Sequence, residues 1–203
     1  GPKVFKSPFV TEAEIRMLID ISEAEGMVEE HEADMLENVF KFGDQQVMEI
    51  MTPRTEIVWL EKGATLGQFL SIYSQHRHTR LPVYDEGMDN VIGVLSTKDI
   101  ITAMAQDSIN SESIITDLSR PAFFVPETKY LDDLLPEMGN LRSPVALAVD
   151  EFGTISGLVT MKQVVGKIVG RYTEEETPTE EFRDIDDKTT QINGNMRIEE
   201  ANE

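Results

Sequence analysis

The chain contains two copies of one unit, at residues 79–99 and 143–163. In each copy an apolar strand precedes a turn, a second strand ends in Gly-apolar-apolar-Ser/Thr, and a helix begins. The shared glycine is Gly93 in the first copy and Gly157 in the second, and the copies align up to this glycine without a gap. A duplicated unit of this kind predicts two similar lobes that pack on each other, with clefts between them.

The composition excludes several classes of protein. The 203 residues include 18 basic and 38 acidic side chains, which gives a net charge of −20. Such a field repels nucleic acid and anionic membrane surfaces, so we expect neither as a partner. Without cysteine the chain cannot form disulfides, a thiol nucleophile or a thiolate metal site. No long apolar window and no signal-peptide stretch are present, so the segment is expected to be soluble.

Residues 1–45 are predicted to form a lead-in and two short acidic helices. Thr11 and Glu14 have the spacing of a capping box, and Gly26 is expected to end the first helix. A calcium loop is not expected around Gly26, because Ile21 stands where the first liganding carboxylate is needed. Each helix has one apolar side, so we expect both to pack on a neighbour.

The remaining chain predicts an α+β fold in which the order β-α-β-β-α occurs twice. The first copy is assigned to residues 46–108 and the second to residues 109–171. Residues 172–203 begin with an acidic linker at 172–181, and a strand at 189–192 opens a further domain that is cut short. Residue spacing predicts a turn at 85–90, strands at 56–60, 81–84, 91–95, 123–125, 145–149 and 155–159, and helices at 66–73, 98–104, 130–138 and 161–169.

These motifs resemble a known family. The pattern Gly-apolar-apolar-Ser/Thr-x-x-Asp, preceded by x-Pro-Val at residues 81–83, is similar to that of the cystathionine-β-synthase-type (CBS) domain, and two such domains form a Bateman module. The flanks at residues 49–54, 149–153 and 192–198 resemble the CorC/CNNM family, also called hemolysin-like. Its members are membrane proteins linked to magnesium and cobalt efflux. The resemblance covers nearly the whole chain.

The resemblance implies a function and a setting. Many CBS pairs bind adenine nucleotides between the copies, so it implies ATP or AMP as the ligand, with or without Mg²⁺ on the phosphates. It places the module on the cytoplasmic side of the cell membrane, joined to a membrane-spanning domain of the same full-length protein. It also implies a homodimer formed through the CBS domains. The implied role is regulation of a divalent-cation transporter, and since the sequence contains no common catalytic motif, we expect no enzymatic activity.

The first copy offers a pocket that suits a nucleotide. A strand followed by a helix N-terminus presents N–H groups to a phosphate, and Ser96 or Thr97 adds a hydroxyl. Asp99 can accept from both ribose hydroxyls, and Arg80 can meet phosphate charge. The same residues also fit a local role, with Ser96 as an N-cap and Asp99 in a favourable first-turn position. The predicted first site, with an apolar slot for adenine, consists of Thr55, Ile57, Thr79, Arg80, Leu81, Pro82, Ser96, Thr97 and Asp99.

The second copy departs from the family pattern. Gln163 stands where the family has an aspartate, and Pro144 stands in the place of Arg80. A neutral amide is a weaker acceptor for ribose hydroxyls than a carboxylate, and proline brings no charge to a phosphate. We therefore expect the main site in the first copy and a weaker second site at Phe123, Ser143, Val145, Thr160 and Gln163.

Other functions remain open on the sequence alone. A purely structural dimerisation module with decayed pockets is one alternative, which Gln163 favours, and a direct Mg²⁺ sensor that uses the acidic surface is another. His76 and His78 would lie on one side of an extended segment, but no third ligand is evident, so no metal site is predicted. The ten methionines and Trp59 are expected to serve in packing.

Overall fold

The computed structural model describes residues 10–170, 182–186 and 189–192. These residues fall into two compact units, residues 1–170 and residues 171–203, which are described separately. The first unit contains the N-terminal helices and both copies of the repeat, and a short hairpin is described in the second.

Two helices precede the repeat, as the sequence predicts. The first, α1 (Glu12–Ala24), begins at the expected capping box. The Glu14 carboxylate accepts from the Thr11 N–H at 2.8 Å, and Thr11 Oγ1 accepts from the Glu14 N–H at 3.3 Å. After α1 the chain turns through Gly26, whose φ of +70° favours glycine, and α2 (Glu30–Phe42) follows.

The N-terminal helices hold to each other and to the second copy. The Arg16 guanidinium lies 4.8 Å from the centre of the Phe40 ring and pairs with the Glu37 carboxylate, which joins α1 to α2. The next contact is between α2 and α6 (Met161–Val169), where Asn38 Nδ2 donates to the Ile168 carbonyl at 3.4 Å. Since α1 contains no buried residue, its anchoring depends on α2.

Both copies have the predicted order β-α-β-β-α. A short strand, β1 (Thr52–Pro53), precedes them. The first copy consists of β2 (Leu60–Glu61), α3 (Leu66–His76), β3 (Arg80–Asp85), β4 (Gly87–Ser96) and α4 (Thr97–Ala105). The second copy consists of β5 (Phe124–Pro126), α5 (Leu131–Leu141), β6 (Val145–Val149), β7 (Ile155–Thr160) and α6.

The start of the first copy differs from the prediction. Residues 56–60 do not form a strand, since a 3-10 turn spans Arg54–Glu56 and pairing begins only in β2. The Arg54 guanidinium donates to the Ile155 carbonyl at 3.0 Å and pairs with the Asp89 carboxylate. These contacts hold the turn against β7 of the second copy, so it cannot continue the sheet of the first.

The hairpin of the first copy is tighter than predicted. A turn is expected over residues 85–90, but Glu86 reverses the chain with a φ of +62° and β4 begins directly after it. The longer strand brings Asp89 to the second copy, where its carboxylate accepts from the Ile155 N–H at 3.0 Å. The hydrogen bond from Arg54, and then that from the Ile155 N–H, lowers the pKa of Asp89. Arg54, Asp89 and Ile155 thus form a charged clasp between the copies.

Each copy, counted from here on as its five β-α-β-β-α elements alone, pairs with a backbone segment from outside the copy. One sheet has the order β2-β3-β4, and the other has the order β1-β7-β6-β5. Although β1 precedes the first copy in sequence, it pairs antiparallel with β7 of the second. Reciprocally, the backbone of Arg120, which precedes the second copy, bonds to that of Val94 in β4 in both directions, at 2.8 and 3.0 Å. We call residues 50–53 and 119–121 the crossing segments.

The glycine shared by the two copies permits this exchange. A Cβ at Gly93 would lie 2.7 Å from the Arg120 carbonyl oxygen, and a Cβ at Gly157 would lie 2.8 Å from the Thr52 carbonyl oxygen. Because side-chain carbons do not approach a carbonyl so closely, each crossing segment needs glycine in the strand it covers. The repeated glycine therefore reflects strand exchange between the copies.

Three clusters of buried side chains form the core. One lies within the first copy and includes Phe69, and one lies within the second and includes Leu134. The third joins the copies, because Val94 of β4 packs with residues of β6 and β7, and Trp59 packs at its edge. Burying a side chain of this kind stabilises a fold by about 1.5–3 kcal/mol. The copies are thus held together by apolar contacts as well as by exchanged backbone.

The second unit contains one described hairpin. In it, β8 (Phe182–Asp186) pairs antiparallel with β9 (Thr189–Ile192). The strand predicted at residues 189–192 is therefore confirmed, and the linker predicted at 172–181 lies outside the described residues. Among the helices of the described part, none combines the length and apolarity that a bilayer crossing needs.

Candidate nucleotide site

A cleft of about 790 Å³ lies between the two copies. Its walls come from the start of β3, the end of β4, the first turn of α4, residues 120–123, and the chain between α5 and β6. Residues of the predicted first site and of the predicted second site meet in this one cleft. The predicted residues that line it are Arg80, Ser96 and Asp99 from the first site and Phe123, Ser143 and Val145 from the second.

Cationic side chains dominate the charge of the cleft. Arg80, Lys98, Arg120 and Arg142 all line it, in a chain with 18 basic residues and a net charge of −20. Asp99 is the one carboxylate among the lining residues that the structure describes. Four cations in one concave site favour a ligand with several negative charges, and guanidinium groups match phosphate oxygens well.

The single carboxylate is held by one of these cations. Arg120 Nε donates to one oxygen of Asp99 at 3.0 Å, and Arg120 Nη2 donates to the other at 2.9 Å. The Asp99 side chain is 26% exposed, whereas that of Arg120 is 74% exposed. The pair therefore consists of a sheltered carboxylate on α4 and an exposed guanidinium that reaches it from a crossing segment.

The two hydroxyls at the start of α4 have different surroundings. Ser96 occupies the N-cap position, but its side chain makes no capping hydrogen bond, and the residue lines the cleft. Ser96 and Thr97 are both buried, at 7% and 5% exposed, but the Thr97 hydroxyl donates to the His78 carbonyl at 3.0 Å. The Ser96 hydroxyl is thus placed to meet a ligand, whereas the Thr97 hydroxyl ties α4 to His78, just before β3.

The other residues of the predicted first site do not line the cleft. Leu81 and Pro82 are buried in β3. Thr79 accepts at its carbonyl from the Thr97 N–H at 3.1 Å. Thr55 lies in the 3-10 turn, and Ile57 packs against the cluster that joins the copies. Thr55 and Ile57 do not line the cleft with Asp99, since β1 carries the start of this stretch to the second sheet.

The position equivalent to Asp99 is occupied by a neutral network in the second copy. The Gln163 Oε1 accepts from the Thr160 N–H at 2.8 Å and from the Thr160 hydroxyl at 3.0 Å. Its Nε2 donates to the Ile50 carbonyl and to Thr52 Oγ1, each at 3.2 Å. Gln163 thus holds the other crossing segment, and Thr160 and Gln163 do not line the cleft at Asp99.

Three cationic residues of the cleft escaped the sequence analysis. Lys98 lies inside the recognised motif, but the motif defines the site by the hydroxyl and carboxylate groups of its neighbours. Arg142 occupies the position of His78 in the alignment of the copies, and follows α5 with a φ of +50°. Arg120 precedes Pro121 as Thr52 precedes Pro53. This residue–proline pair occurs before each copy, outside the aligned unit, and could have indicated the crossing segments.

The histidine pair does not have the predicted geometry. His76 is the last residue of α3 and Arg77 is left-handed, with a φ of +50°, so the segment is not extended. The His76 and His78 rings nevertheless stack, with centres 6.0 Å apart. Both residues are exposed. Among the residues that the structure describes, no group of three His, Asp or Glu side chains is placed to hold a metal ion.

Comparison with known families identifies the class of protein. The family model described as CBS domain matches the chain twice, at residues 47–106 and 114–170. These matches coincide with the two β-α-β-β-α copies, so the fold is a tandem CBS module with helices at its N-terminus.

Relatives and solved structures narrow the class. A UPF0053 protein of Mycobacterium tuberculosis is 37% identical over 97% of this chain, which spans 46% of that protein. The magnesium and cobalt efflux protein CorC of Escherichia coli is 35% identical over 94% of this chain, which spans 65% of it. This chain therefore corresponds to only part of these relatives.

The solved structures that are similar to the chain include CBS domains with and without a bound nucleotide. The CBS domain of a bacterial CNNM/CorC family Mg²⁺ transporter has a TM-score of 0.74 and 34% identity, covering 81% of this chain and 99% of that one. Such a domain in complex with ATP has a TM-score of 0.63 and 36% identity, covering 68% and 96%. A CBS-domain pair from Klebsiella pneumoniae with bound AMP has a TM-score of 0.54 and 29% identity, covering 62% and 98%. The chain belongs to the CNNM/CorC family of CBS-domain proteins.

Proposed function

We propose that this chain is the regulatory module of a membrane transporter for divalent cations such as Mg²⁺ or Co²⁺, and that it binds an adenine nucleotide in the cleft at Asp99. The observation that carries the proposal is the concentration of four cationic side chains around one carboxylate, between the two copies of a strongly acidic chain. A nucleotide combines the groups that such a site recognises, since it has a polyanionic end and a diol. The family relationship supports the same ligand class, because similar CBS structures contain ATP or AMP.

Each part of a nucleotide has a counterpart in the cleft. Arg80, Lys98 and Arg142 would hold the phosphates, with Ser96 as an additional donor. The Asp99 carboxylate would accept from the ribose hydroxyls. The base would lie against the apolar wall formed by Val94, Ala122, Phe123 and Val145. With ATP, a Mg²⁺ ion would neutralise part of the phosphate charge.

The effect of the ligand would reach the membrane through the N-terminal helices. A ligand in the cleft would touch Arg120 and Pro121 of the crossing segment, residues 122–123 after it and the start of β6, and so would act on the arrangement of the copies. The second copy contacts α2 through α6, and α2 in turn holds α1. In the proposed full-length protein these helices would connect the module, on the cytoplasmic side, to the membrane-spanning domain. A ligand can shift such an arrangement only if it binds one state more tightly than the other.

We also propose that the module forms a homodimer through its CBS domains. Helices of both copies carry apolar side chains that are exposed in the single chain: Leu70, Ile101, Met104, Val165 and Val169. In a homodimer a partner would cover these side chains, since contiguous apolar surface marks protein–protein contacts. The same observation favours a second candidate function, in which the module only dimerises and the Asp99–Arg120 pair is a structural ion pair.

Isothermal titration calorimetry with ATP and AMP, with and without Mg²⁺, separates these functions. We expect ATP to bind and Asp99→Ala to weaken it at least about tenfold, since hydrogen bonds to a charged group contribute about 1.5–3 kcal/mol. The matched control is Asp133→Ala, which removes an exposed carboxylate from the first turn of α5, outside the cleft. Absence of heat with any nucleotide at millimolar concentration would refute nucleotide binding and leave the dimerisation module. Equal binding by Asp99→Ala and the parent would refute the site.

A further inference from the structure

The carboxylate that would bind ribose is engaged by a guanidinium group. Both oxygens of Asp99 accept from Arg120, at 3.0 and 2.9 Å, so a two-pronged donor occupies the group that a ribose diol requires. The Asp99 side chain is partly sheltered, with 26% of its surface exposed. A ribose therefore competes with Arg120 for Asp99.

The other cations of the cleft are not engaged in this way. Arg80 Nη1 donates to the Thr79 carbonyl at 2.9 Å, and no carboxylate among the described residues pairs with Arg80, Lys98 or Arg142. These three side chains can meet a phosphate without first breaking an ion pair. Among these four cations, only Arg120 must leave the Asp99 carboxylate before it can bind a phosphate. Binding of phosphate by Arg120 therefore frees the carboxylate for the ribose.

The position of Arg120 allows the guanidinium to move without moving the backbone. Its N–H and carbonyl are fixed by Val94 in β4, at 2.8 and 3.0 Å, while its side chain is 74% exposed. A phosphate offers the guanidinium the same bidentate geometry as the carboxylate, and it carries more charge. The exchange of one anionic partner for the other is thus a rotation of a single exposed side chain.

We infer that Arg120 determines the ligand specificity of this cleft: it covers Asp99 until a phosphate draws its guanidinium away, so phosphorylated nucleosides are selected over nucleosides. This inference rests on the proposed nucleotide site and adds the residue that sets its preference. A nucleoside must break the Asp99–Arg120 pair without replacing it. A nucleotide breaks the pair and offers Arg120 a new partner. The second copy has no such device, because the neutral Gln163 holds Thr52 and Ile50 at the equivalent position.

The test compares ATP with adenosine on three proteins by calorimetry at one fixed salt concentration. Arg120→Gln removes the charge and keeps the backbone bridge to Val94, which involves no side-chain atom. We expect this variant to raise the dissociation constant of ATP about fivefold and to lower that of adenosine about fivefold, which is the range of a partly exposed ion pair. Arg142→Gln is the matched control, since Arg142 lines the same cleft without pairing to Asp99. The control should raise the dissociation constant of ATP and leave that of adenosine unchanged.

The outcomes distinguish the inference from the function on which it rests. If ATP does not bind the parent, the nucleotide site itself is refuted. If ATP binds the parent but Arg120→Gln leaves the ratio of the adenosine and ATP dissociation constants unchanged, the role of Arg120 is refuted and the site stands. The same holds if Arg142→Gln tightens adenosine as much as Arg120→Gln, because the effect would then come from the overall charge. Opposite shifts for the two ligands in Arg120→Gln alone support the inference.

Discussion

Gly93→Ala tests the exchange of crossing segments most directly. The added Cβ would lie 2.7 Å from the Arg120 carbonyl oxygen, 2.8 Å from Ser119 Oγ and 3.1 Å from Ser119 Cβ. Ser119 Oγ can rotate away, but Ser119 Cβ moves only with the backbone, and the carbonyl is part of the backbone bridge to Val94. The crossing segment must therefore move away from β4, and its two backbone hydrogen bonds lengthen or break.

The size of the effect follows from these contacts. Forcing a methyl group into a packed interior destabilises a fold by about 1–3 kcal/mol. Losing two backbone hydrogen bonds adds about 0.5–1.5 kcal/mol for each bond. We expect Gly93→Ala to lower the free energy of unfolding by about 3 kcal/mol, and the midpoint of thermal unfolding by about 6–12 °C for a chain of this size. Urea titration followed by circular dichroism measures the first quantity.

Gly166→Ala is the control for the loss of glycine itself. Gly166 lies inside α6, and a Cβ there would have no atom within 4 Å apart from its chain neighbours and the nearby backbone of the helix. Alanine in a helix interior is favoured over glycine by about 0.5–1 kcal/mol, so this variant should be more stable than the parent. If Gly93→Ala were as stable as the parent while Gly166→Ala behaved as expected, the argument that the crossing segment requires glycine would be wrong.

Two further predictions concern the contacts between the copies. Gln163→Ala removes the hydrogen bonds to Thr160 and Ile50, so urea titration should show a loss of about 1–2 kcal/mol, and unchanged stability would contradict this role. Arg54 lowers the pKa of Asp89 in the folded state. The charged clasp therefore stabilises the fold fully at pH values above the ordinary carboxyl pKa of about 3.9. This contribution is lost as the pH falls through the lower pKa of the folded state. Asp89→Asn should be less stable than the parent at neutral pH, with a gap that narrows in acid; a gap independent of pH would show that the charge is not involved.

The fold could be predicted because short-range residue patterns in each copy of the repeat determine its strands and helices. Each strand and helix of the unit depends on residue spacing within a few positions, and α6 has the bounds that the spacing predicts at residues 161–169. The stretch before the first copy was less predictable. Its turn at Arg54–Glu56 is held by Asp89 and Ile155, which lie far away in sequence, so no local pattern reveals it.

The candidate site could be predicted only in part, and for the same reason. Asp99, Ser96 and Arg80 come from one copy, and their motif places them together. The opposite wall comes from the other copy, so Phe123 and Ser143 were assigned to a separate site although they face the same cleft. Arg120 was missed because its role depends on a strand exchange that spacing within one copy cannot reveal.

The exchange also governs when the module can take shape during synthesis. Thr52 pairs with Leu158, so the second sheet cannot close its edge until nearly the whole repeat region has left the ribosome. Pairings between residues so distant in sequence form late and slowly. Until then β1 has no partner and can pair with strands of other chains, which is a route to misassembly. The module is therefore completed in a set order: the first copy can gain its crossing segment once Arg120 has been made, whereas β1 gains its partner only when β7 has been made.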